Sequence, residues 1–138
     1  MADLARFVDA QAPVYAAALA ELRAGRKRSH WMWFVLPQLA GLGTSPMSQR
    51  YAIRDRAEAA AYLAHPVLGP RLRECVAAVL PHADKTAFAI FGSPDDAKFR
   101  SCLTLFDAVA PEEPLFRQAL LAFYRGEPDE VTLRLLAG

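Results

Sequence analysis

The sequence predicts an all-α fold: a single compact domain over residues 1–138, with about seven to nine short helices in an irregular bundle or superhelical array. Apolar residues recur three and four positions apart in most segments, which gives a helix one buried face. Ten prolines and seven glycines divide the chain into short segments, and polar capping residues stand at several of the starts. A chain of 138 residues is long enough to bury its own core.

The ends of the first two helices are indicated by single residues. Asp3 is placed to cap a helix that continues to about Gln11. Pro13 suits the first turn of a second helix and Gly25 suits its end, because glycine readily adopts the left-handed conformation. The inward residues would be Leu4, Phe7 and Val8 in the first helix and Val14, Tyr15, Ala18, Leu19 and Leu22 in the second.

Two continuous apolar runs, HWMWFVL at 30–36 and TAFAIFG at 86–92, have no periodicity that separates a strand from a buried helix. Ser29 can cap a helix in the first run, and Pro37 bounds it. Two strands alone would form a ribbon of marginal stability. We therefore expect both runs to form short buried helices.

Two further helices are expected between these runs. Asp55 and Glu58 have the spacing of a capping box, which favours a helix through Leu63. After Pro66, apolar residues repeat at helical spacing until Pro81 closes the segment. The buried face of the second helix would consist of Leu68, Leu72, Cys75, Val76 and Val79.

The clearest helix start in the sequence is Ser93-Pro94-Asp95-Asp96. The serine can cap, the proline takes the first helical position, and the two acids favour the positive end of the helix dipole. A later helix ends at Gly126, and Pro128-Asp129 begins the last one. The buried stripes would hold Phe99, Cys102, Leu103 and Phe106, then Leu115, Phe116, Ala119, Leu120, Phe123 and Tyr124, then Val131, Leu135 and Leu136.

Composition argues against several classes of protein. A net charge of +1 is too small for a dedicated nucleic-acid binder. No apolar run reaches the roughly 20 residues that span a bilayer, and the first residues lack a signal-peptide pattern, so we expect a cytoplasmic protein. His30, His65 and His82 lack metal-ligand spacing, and we expect neither a metal nor a cofactor. Cys75 and Cys102 are expected to be reduced core thiols.

The stretch at 26–33, RKRSHWMW, places three basic residues directly before two tryptophans. A solvated loop after a helix C-terminus would explain the basic residues, because cations suit that end of the dipole. The alternative is an anion-binding lip beside aromatic rings, which would make Lys27 a ligand residue. Trp31 and Trp33 would point about 200° apart on a helix, so at most one faces a given pocket.

A turn at 41–46, GLGTSP, is the second place where an anion could bind. Its backbone N–H groups are available, and Thr44 or Ser45 can cap the next turn. The Gly-Lys-Ser/Thr of a phosphate loop is absent, so the match to that motif is poor. Farther along, Asp96 and Arg100 are spaced to pair on a helix surface. If residues 93–101 met this turn in space, Lys98 and the N–H donors would converge.

Five stretches resemble the bacterial family known as domain of unknown function 1810: HWMWFVLPQLAGLGTS at 30–45, YAI at 51–53, EAAAYLAHPVLGPRL at 58–72, IFGSPDDAKFRSCLTLF at 90–106 and FYRGEPDEVTLRLL at 123–136. The resemblance covers nearly the whole chain and implies an all-helical single domain. It implies no activity, so no catalytic residue is carried over. The stretches mix polar with aromatic residues, which favours a polar-rimmed pocket, although caps and turns explain part of the mixture.

Two hypotheses about function follow. The first is a cytosolic helical domain that binds a small anionic, ring-bearing ligand such as a nucleotide or an ADP-ribose derivative. Its ligand residues would be Lys27, Trp31, Trp33, Gln38, Thr44, Ser45, Tyr51, Lys98 and Ser101, and His30 or Asp96 would be the acid or base if a reaction occurs. The second is a non-catalytic protein-interaction or structural module. Whether the protein is an enzyme, and its oligomeric state, stay open.

Overall fold

A computed structural model describes residues 3–138, and within them the fold is an all-α single domain of ten α-helices without a strand. The predicted fold class is therefore confirmed. The helices are α1 (Ala5–Gln11), α2 (Tyr15–Arg23), α3 (Met32–Val35), α4 (Pro46–Arg50), α5 (Arg56–Ala64), α6 (Leu68–Val79), α7 (Ala87–Phe91), α8 (Asp95–Val109), α9 (Pro114–Tyr124) and α10 (Glu130–Ala137). A 3-10 turn, Leu80–His82, follows α6. The two apolar runs form α3 and α7, as predicted.

Several predicted caps are present. Asp55 Oδ1 accepts a hydrogen bond from Glu58 N at 2.8 Å and starts α5. Asp129 Oδ2 accepts one from Thr132 N at 3.0 Å and starts α10. Ser45 Oγ accepts one from Ser48 N at 3.1 Å and starts α4, which brings the described helices to ten against the seven to nine predicted.

Four predicted starts are wrong. Ser29 does not cap α3, which begins after Trp31 without a side-chain cap, because the Ser29 hydroxyl donates to Glu21 Oε2 at 2.6 Å. Helix α1 begins after Leu4, without a side-chain cap from Asp3, and α2 begins after Val14, with Pro13 in the preceding turn. Helix α8 begins at Asp95, with Pro94 at the capping position and a cis peptide bond before it. The backbone explains why Ser93 does not cap: Asp96 N, the donor it would have bound, donates to the Gly92 carbonyl at 2.8 Å.

Helix α8 lies at the centre of the domain and packs against α5, α7, α9 and α10. Between Ser101 and Asp107 every side chain of α8 is buried, including the polar Ser101, Thr104 and Asp107, so the helix has more than a single buried stripe. Phe106 joins neighbours on both sides, with ring centroids 5.5 Å from Tyr62 in α5 and 5.8 Å from Phe116 in α9. The first turn of this rigid helix carries the polar residues of the candidate site.

The segment between α4 and α5 is fixed to α1 by Arg6. The Arg6 guanidinium donates to Glu58 Oε1 at 2.9 Å and to the carbonyls of Ala52 and Arg50 at 2.8 and 3.0 Å. Glu58 is 4% exposed, so Arg6 is the ion-pair partner of a carboxylate that is almost completely removed from solvent. The clamp holds in place the buried Tyr51, which forms one wall of the candidate site.

Within residues 3–138, no helix is long and apolar enough to cross a membrane. The same residues contain no group of three His, Cys, Asp or Glu side chains that could hold a metal ion. Cys75 and Cys102 are free, buried thiols. Burial raises the pKa of both, that of Cys75 to about 12, so neither is a reactive thiolate at neutral pH.

Candidate functional site

The loop between α2 and α3 is shaped by Glu21, a residue in the last turn of α2. Glu21 Oε1 accepts hydrogen bonds from the backbone N–H groups of Arg28 and Ser29, at 2.7 and 2.9 Å, and from Trp31 Nε1 at 3.0 Å. Its Oε2 accepts one from the Ser29 hydroxyl at 2.6 Å. Four donors on one carboxylate give the basic loop a defined conformation.

These hydrogen bonds also set the charge of Glu21. Partial burial by itself raises the pKa of the carboxyl, but the bonds from Ser29, Arg28 and Trp31 outweigh burial and lower the pKa from 4.5 to about 2. Glu21 is therefore a carboxylate at neutral pH. Its charge compensates part of the positive charge of residues 26–28.

Trp31 is a core residue. Its side chain is 0% exposed, and its indole N–H is used by Glu21. A ligand ring has no access to the indole faces, so the structure places Trp31 in the core and not in the lining of a pocket. The physical reason is the bond to Glu21, because it satisfies the polar atom that would otherwise resist burial.

Lys27 connects this loop to the start of α8. Its ammonium lies 2.9 Å from Asp95 Oδ2, donates to the Ser29 carbonyl at 2.6 Å, and lies 5.0 Å from the Trp31 ring centroid. Its backbone N–H donates to the Ile90 carbonyl in α7 at 2.7 Å. Lys27 therefore meets the start of α8, whereas the contact considered in the sequence was between the 41–46 turn and residues 93–101. The Lys27 side chain is only 8% exposed, and its ammonium is paired with the Asp95 carboxylate.

Lys98, one turn into α8, is the second lysine of the group. Its ammonium lies 5.4 Å from the Trp33 ring centroid, which is a cation–π geometry. It also lies 3.8 Å from Asp95 Oδ1. Asp95 thus stands between Lys27 and Lys98, and the three side chains carry a net charge of +1. Any anion that reaches Lys98 meets a positively charged region.

Trp33 and Lys98 belong to a narrow cleft between α3, α4 and α8. Its lining consists of Met32, Trp33, Leu36, Gln38, Ser48, Tyr51 and Lys98. The cavity volume is about 10 Å³, which is room for one water molecule. Most of the lining side chains are aromatic or aliphatic, and Gln38, Ser48 and Lys98 add polar groups to the lining. Such a mixture is typical of small-molecule sites.

The 41–46 turn contributes to this cleft through Gly43. A Cβ atom at Gly43 would lie 2.5 Å from Ser48 Oγ and 3.5 Å from Gln38 Nε2. The turn can therefore pack against α4 only with glycine at this position. This close approach places Ser48 beside Gln38, so the turn shapes the cleft.

Four of the nine predicted ligand residues line the cleft: Trp33, Gln38, Tyr51 and Lys98. Thr44 and Ser45 are exposed and bond within α4 and its preceding turn, through the Thr44 carbonyl to Gln49 and the Ser45 hydroxyl to Ser48. Ser101 is buried outside the cleft lining, and its hydroxyl donates to the Ala97 carbonyl within α8 at 3.2 Å.

The two predicted acid–base residues lie outside the cleft lining. His30 is exposed in the loop before α3. Asp96 Oδ1 accepts a hydrogen bond from Ala97 N at 2.9 Å, and its carbonyl accepts one from the Tyr124 hydroxyl at 2.5 Å. The predicted Asp96–Arg100 pair is absent among the described residues, because Arg100 bonds instead to the Glu127 carbonyl at 2.9 Å.

Sequence reasoning missed Glu21 and three lining residues, Met32, Leu36 and Ser48. Glu21 stands in the last turn of α2, where the helix dipole disfavours a carboxylate. That unfavourable position is a signal that the residue has a partner elsewhere. Met32 and Leu36 are four apart and could have been placed on one face. No local signal identifies Ser48, since its role depends on the close approach of Gly43.

Comparison with known proteins places the chain in a family. The family model described as "Protein of unknown function (DUF1810)" matches residues 1–136. No curated protein matches the chain. The crystal structure of the conserved hypothetical protein Rv1873 from Mycobacterium tuberculosis is 51% identical over 99% of this chain and 97% of that chain, with a TM-score of 0.96. Because the family model covers nearly the whole chain, the protein belongs to the DUF1810 family of proteins of unknown function.

Proposed function

We propose that the protein binds a small anionic, ring-bearing ligand, such as a nucleotide or an ADP-ribose derivative, in the cleft between Trp33 and Lys98. The observation that carries the proposal is the Lys98 ammonium 5.4 Å from the Trp33 ring centroid, at the wall of a cleft that also contains Gln38 and Ser48. The Trp33 ring can stack on the ring of such a ligand, and the Lys98 ammonium on its flexible stem can bind the anionic half.

The size of the cleft defines how the ligand enters. A volume of about 10 Å³ does not admit a ring while Lys98 covers Trp33. Lysine has a flexible four-carbon stem, so its ammonium can leave the indole at a small cost. The ligand ring then takes the place of the ammonium against Trp33, and stacking of this kind is worth about 1–3 kcal/mol.

The charges at the cleft suit the other half of the ligand. Once displaced from Trp33, Lys98 can pair with a phosphate or carboxylate. Asp95 does not compete strongly, because Lys27 lies closer to it, at 2.9 Å against 3.8 Å for Lys98. Gln38 and Ser48 offer an amide and a hydroxyl that can bond to polar edges of the ring.

The proposal is limited to binding. The predicted acid–base residues, His30 and Asp96, lie outside the cleft lining, so no catalytic step is assigned to them. We place the protein in the cytoplasm, where nucleotide-type ligands occur and where the free, buried thiols Cys75 and Cys102 would stay reduced.

Tryptophan fluorescence and thermal melting test the proposal together. The chain has two tryptophans, and only Trp33 lines the cleft, so a bound ring should quench Trp33 and leave Trp31 emitting. A panel of nucleotides, ADP-ribose and sugar phosphates is titrated into the protein. We expect one class to quench the emission and to raise the melting temperature, because a ligand that binds the native state stabilises it.

Variants assign the effect to the cleft. Trp33→Phe should lose the quenching, and Lys98→Met should weaken binding at least about tenfold, the usual range for a lost charged contact. Lys85→Met is the matched control, since the Lys85 ammonium donates to the Gly25 carbonyl, away from the cleft lining. A panel without any hit, or a hit that both cleft variants retain, would refute the proposal.

The alternative, a protein-interaction module, has one observation in its favour. Phe88 and Leu121 are 61% and 60% exposed, which is high for side chains of this size. If the module hypothesis holds instead, replacing both residues with serine should change the sedimentation behaviour of the protein or abolish binding to a partner. The Trp33 and Lys98 variants should then have no effect on that interaction.

A further inference from the structure

We infer that Lys27 is a positioning residue for the proposed ligand site: it holds Asp95, and this leaves the Lys98 ammonium available to the anionic group of a ligand. This role rests on the proposed binding at the Trp33–Lys98 cleft, although Lys27 is not among the residues that line the cleft. The Lys27 ammonium lies 2.9 Å from Asp95 Oδ2, and the Lys98 ammonium lies 3.8 Å from Asp95 Oδ1. One carboxylate is therefore shared unequally between two cations.

Asp95 is placed to hold Lys98 by itself. The two residues are three apart on α8, a spacing at which a carboxylate and an ammonium pair on a helix. Their side chains are 18% and 21% exposed, so solvent screens the attraction only in part. The contact is nevertheless 3.8 Å, longer than the roughly 2.7–3.2 Å of an ordinary hydrogen bond. The shorter contact of Asp95 with Lys27 accounts for this distance.

Lys27 is held in place from three sides, so it does not turn toward a ligand itself. Its ammonium donates to the Ser29 carbonyl at 2.6 Å and lies 5.0 Å from the Trp31 ring centroid. Its backbone N–H donates to the Ile90 carbonyl at 2.7 Å. A cation fixed in this way keeps the Asp95 carboxylate on its own side of the start of α8.

The consequence for a ligand is a difference in what its anionic group must displace. With Lys27 present, the Lys98 ammonium has an aromatic ring and a distant carboxylate beside it. Without Lys27, the charge of the remaining pair is zero, and Asp95 is free to close on Lys98 to hydrogen-bond distance. A charge-assisted hydrogen bond is harder to displace than a cation–π contact at a partly exposed site. Lys27 therefore sets the affinity for an anion that it does not touch.

Collisional quenching of tryptophan fluorescence in the full chain measures the charge around Trp33 without a ligand. Trp31 is 0% exposed, so quenching by iodide, caesium or acrylamide reports on Trp33, which is partly exposed. Lys27→Met should lower the ratio of iodide to caesium quenching by at least about twofold at neutral pH. Quenching by the neutral acrylamide should not change. Arg28→Met, which removes the same charge from an exposed position in the same loop, is the matched control and should change the ratio much less.

Asp95→Asn decides whether Lys27 acts through Asp95. Added to Lys27→Met, it should restore at least the ratio of the unchanged protein, because the carboxylate that competes for Lys98 is gone. Alone, it should raise the ratio, and this keeps the test decisive if Lys27→Met does not fold. The positioning role is overturned if Lys27→Met lowers the ratio no more than Arg28→Met does, or if Asp95→Asn restores nothing. A rise in acrylamide quenching in Lys27→Met would overturn it as well, since it would indicate an opened fold.

Titration of the same variants with the nucleotide and sugar-phosphate panel separates this role from the proposed function. A panel ligand that binds the unchanged protein should bind Lys27→Met at least about tenfold more weakly. Equal binding would overturn the role of Lys27 and leave the proposed function standing. A panel without any hit would refute the proposed function, and the iodide and caesium ratios would then decide by themselves whether Lys27 keeps Asp95 from Lys98.

Discussion

Removing the charge of Glu21 while keeping its shape should destabilise the protein by an amount that depends on pH. In Glu21→Gln, the side-chain oxygen can still accept the N–H groups of Arg28, Ser29 and Trp31, so the geometry of the loop is retained. What is lost is the preference of the folded state for the carboxylate form. The folded-state pKa is about 2 and the ordinary value is 4.5. The stabilisation is therefore complete above about pH 4.5 and disappears as the pH falls toward 2.

The magnitude follows from the same two pKa values. Each tenfold change in proton affinity corresponds to about 1.4 kcal/mol, so lowering the pKa from 4.5 to about 2 corresponds to about 3 kcal/mol. Glu21 is partly exposed, and solvent screening reduces this to about 1–2 kcal/mol. In a domain of this size, each kcal/mol shifts the melting temperature by roughly 3–5 °C. Glu21→Gln should therefore melt about 3–10 °C lower near neutral pH.

Urea unfolding, followed by tryptophan fluorescence at several pH values between about 7 and 3, measures the difference directly. The free-energy gap between Glu21→Gln and the unchanged protein should be constant above about pH 5 and should shrink at lower pH. Glu112→Gln, at an exposed carboxylate before α9, is the control and should show no gap. A gap at Glu21 that does not vary with pH, or no gap at all, would refute the reasoning that hydrogen bonds hold this carboxylate in its ionised form.

Three further substitutions test the supports of the site by urea unfolding. Arg6→Met leaves the buried Glu58 without its ion-pair partner and should lower the free energy of unfolding by about 3 kcal/mol, with partial recovery when Glu58→Gln is added. Gly43→Ala should cost about 1–3 kcal/mol, and less in combination with Ser48→Gly, because the new methyl group would meet Ser48. Lys27→Met should cost about 1–2 kcal/mol, because Asp95 then keeps only its longer contact, 3.8 Å, with Lys98. A cost below about 0.5 kcal/mol, the range of ordinary surface changes, would contradict any of the three expectations.

The fold was largely predictable because helix starts and ends are local. Asp55 and Asp129 cap helices from their own first turns, and a sequence window of four residues contains both partners of each bond. Ser93 also precedes a helix at the capping spacing, but it does not cap α8. Its expected donor, Asp96 N, donates instead to the Gly92 carbonyl, and glycine at a φ of 73° makes that backbone path possible. A capping prediction thus fails where a backbone acceptor competes with the side chain.

The candidate site was predictable only in part, because contacts with residues outside the helix decide which tryptophan is free. Helical spacing limits a pocket to one of Trp31 and Trp33, but it cannot choose between them. The choice depends on Glu21, which takes the indole N–H of Trp31 and lets that ring be buried completely. The Trp33 ring has the ammonium of Lys98, 65 positions later in the sequence, 5.4 Å from its centroid. A ligand can displace an ammonium ion on a flexible stem, but not a buried hydrogen bond, and this asymmetry makes Trp33 the residue on which the binding proposal depends.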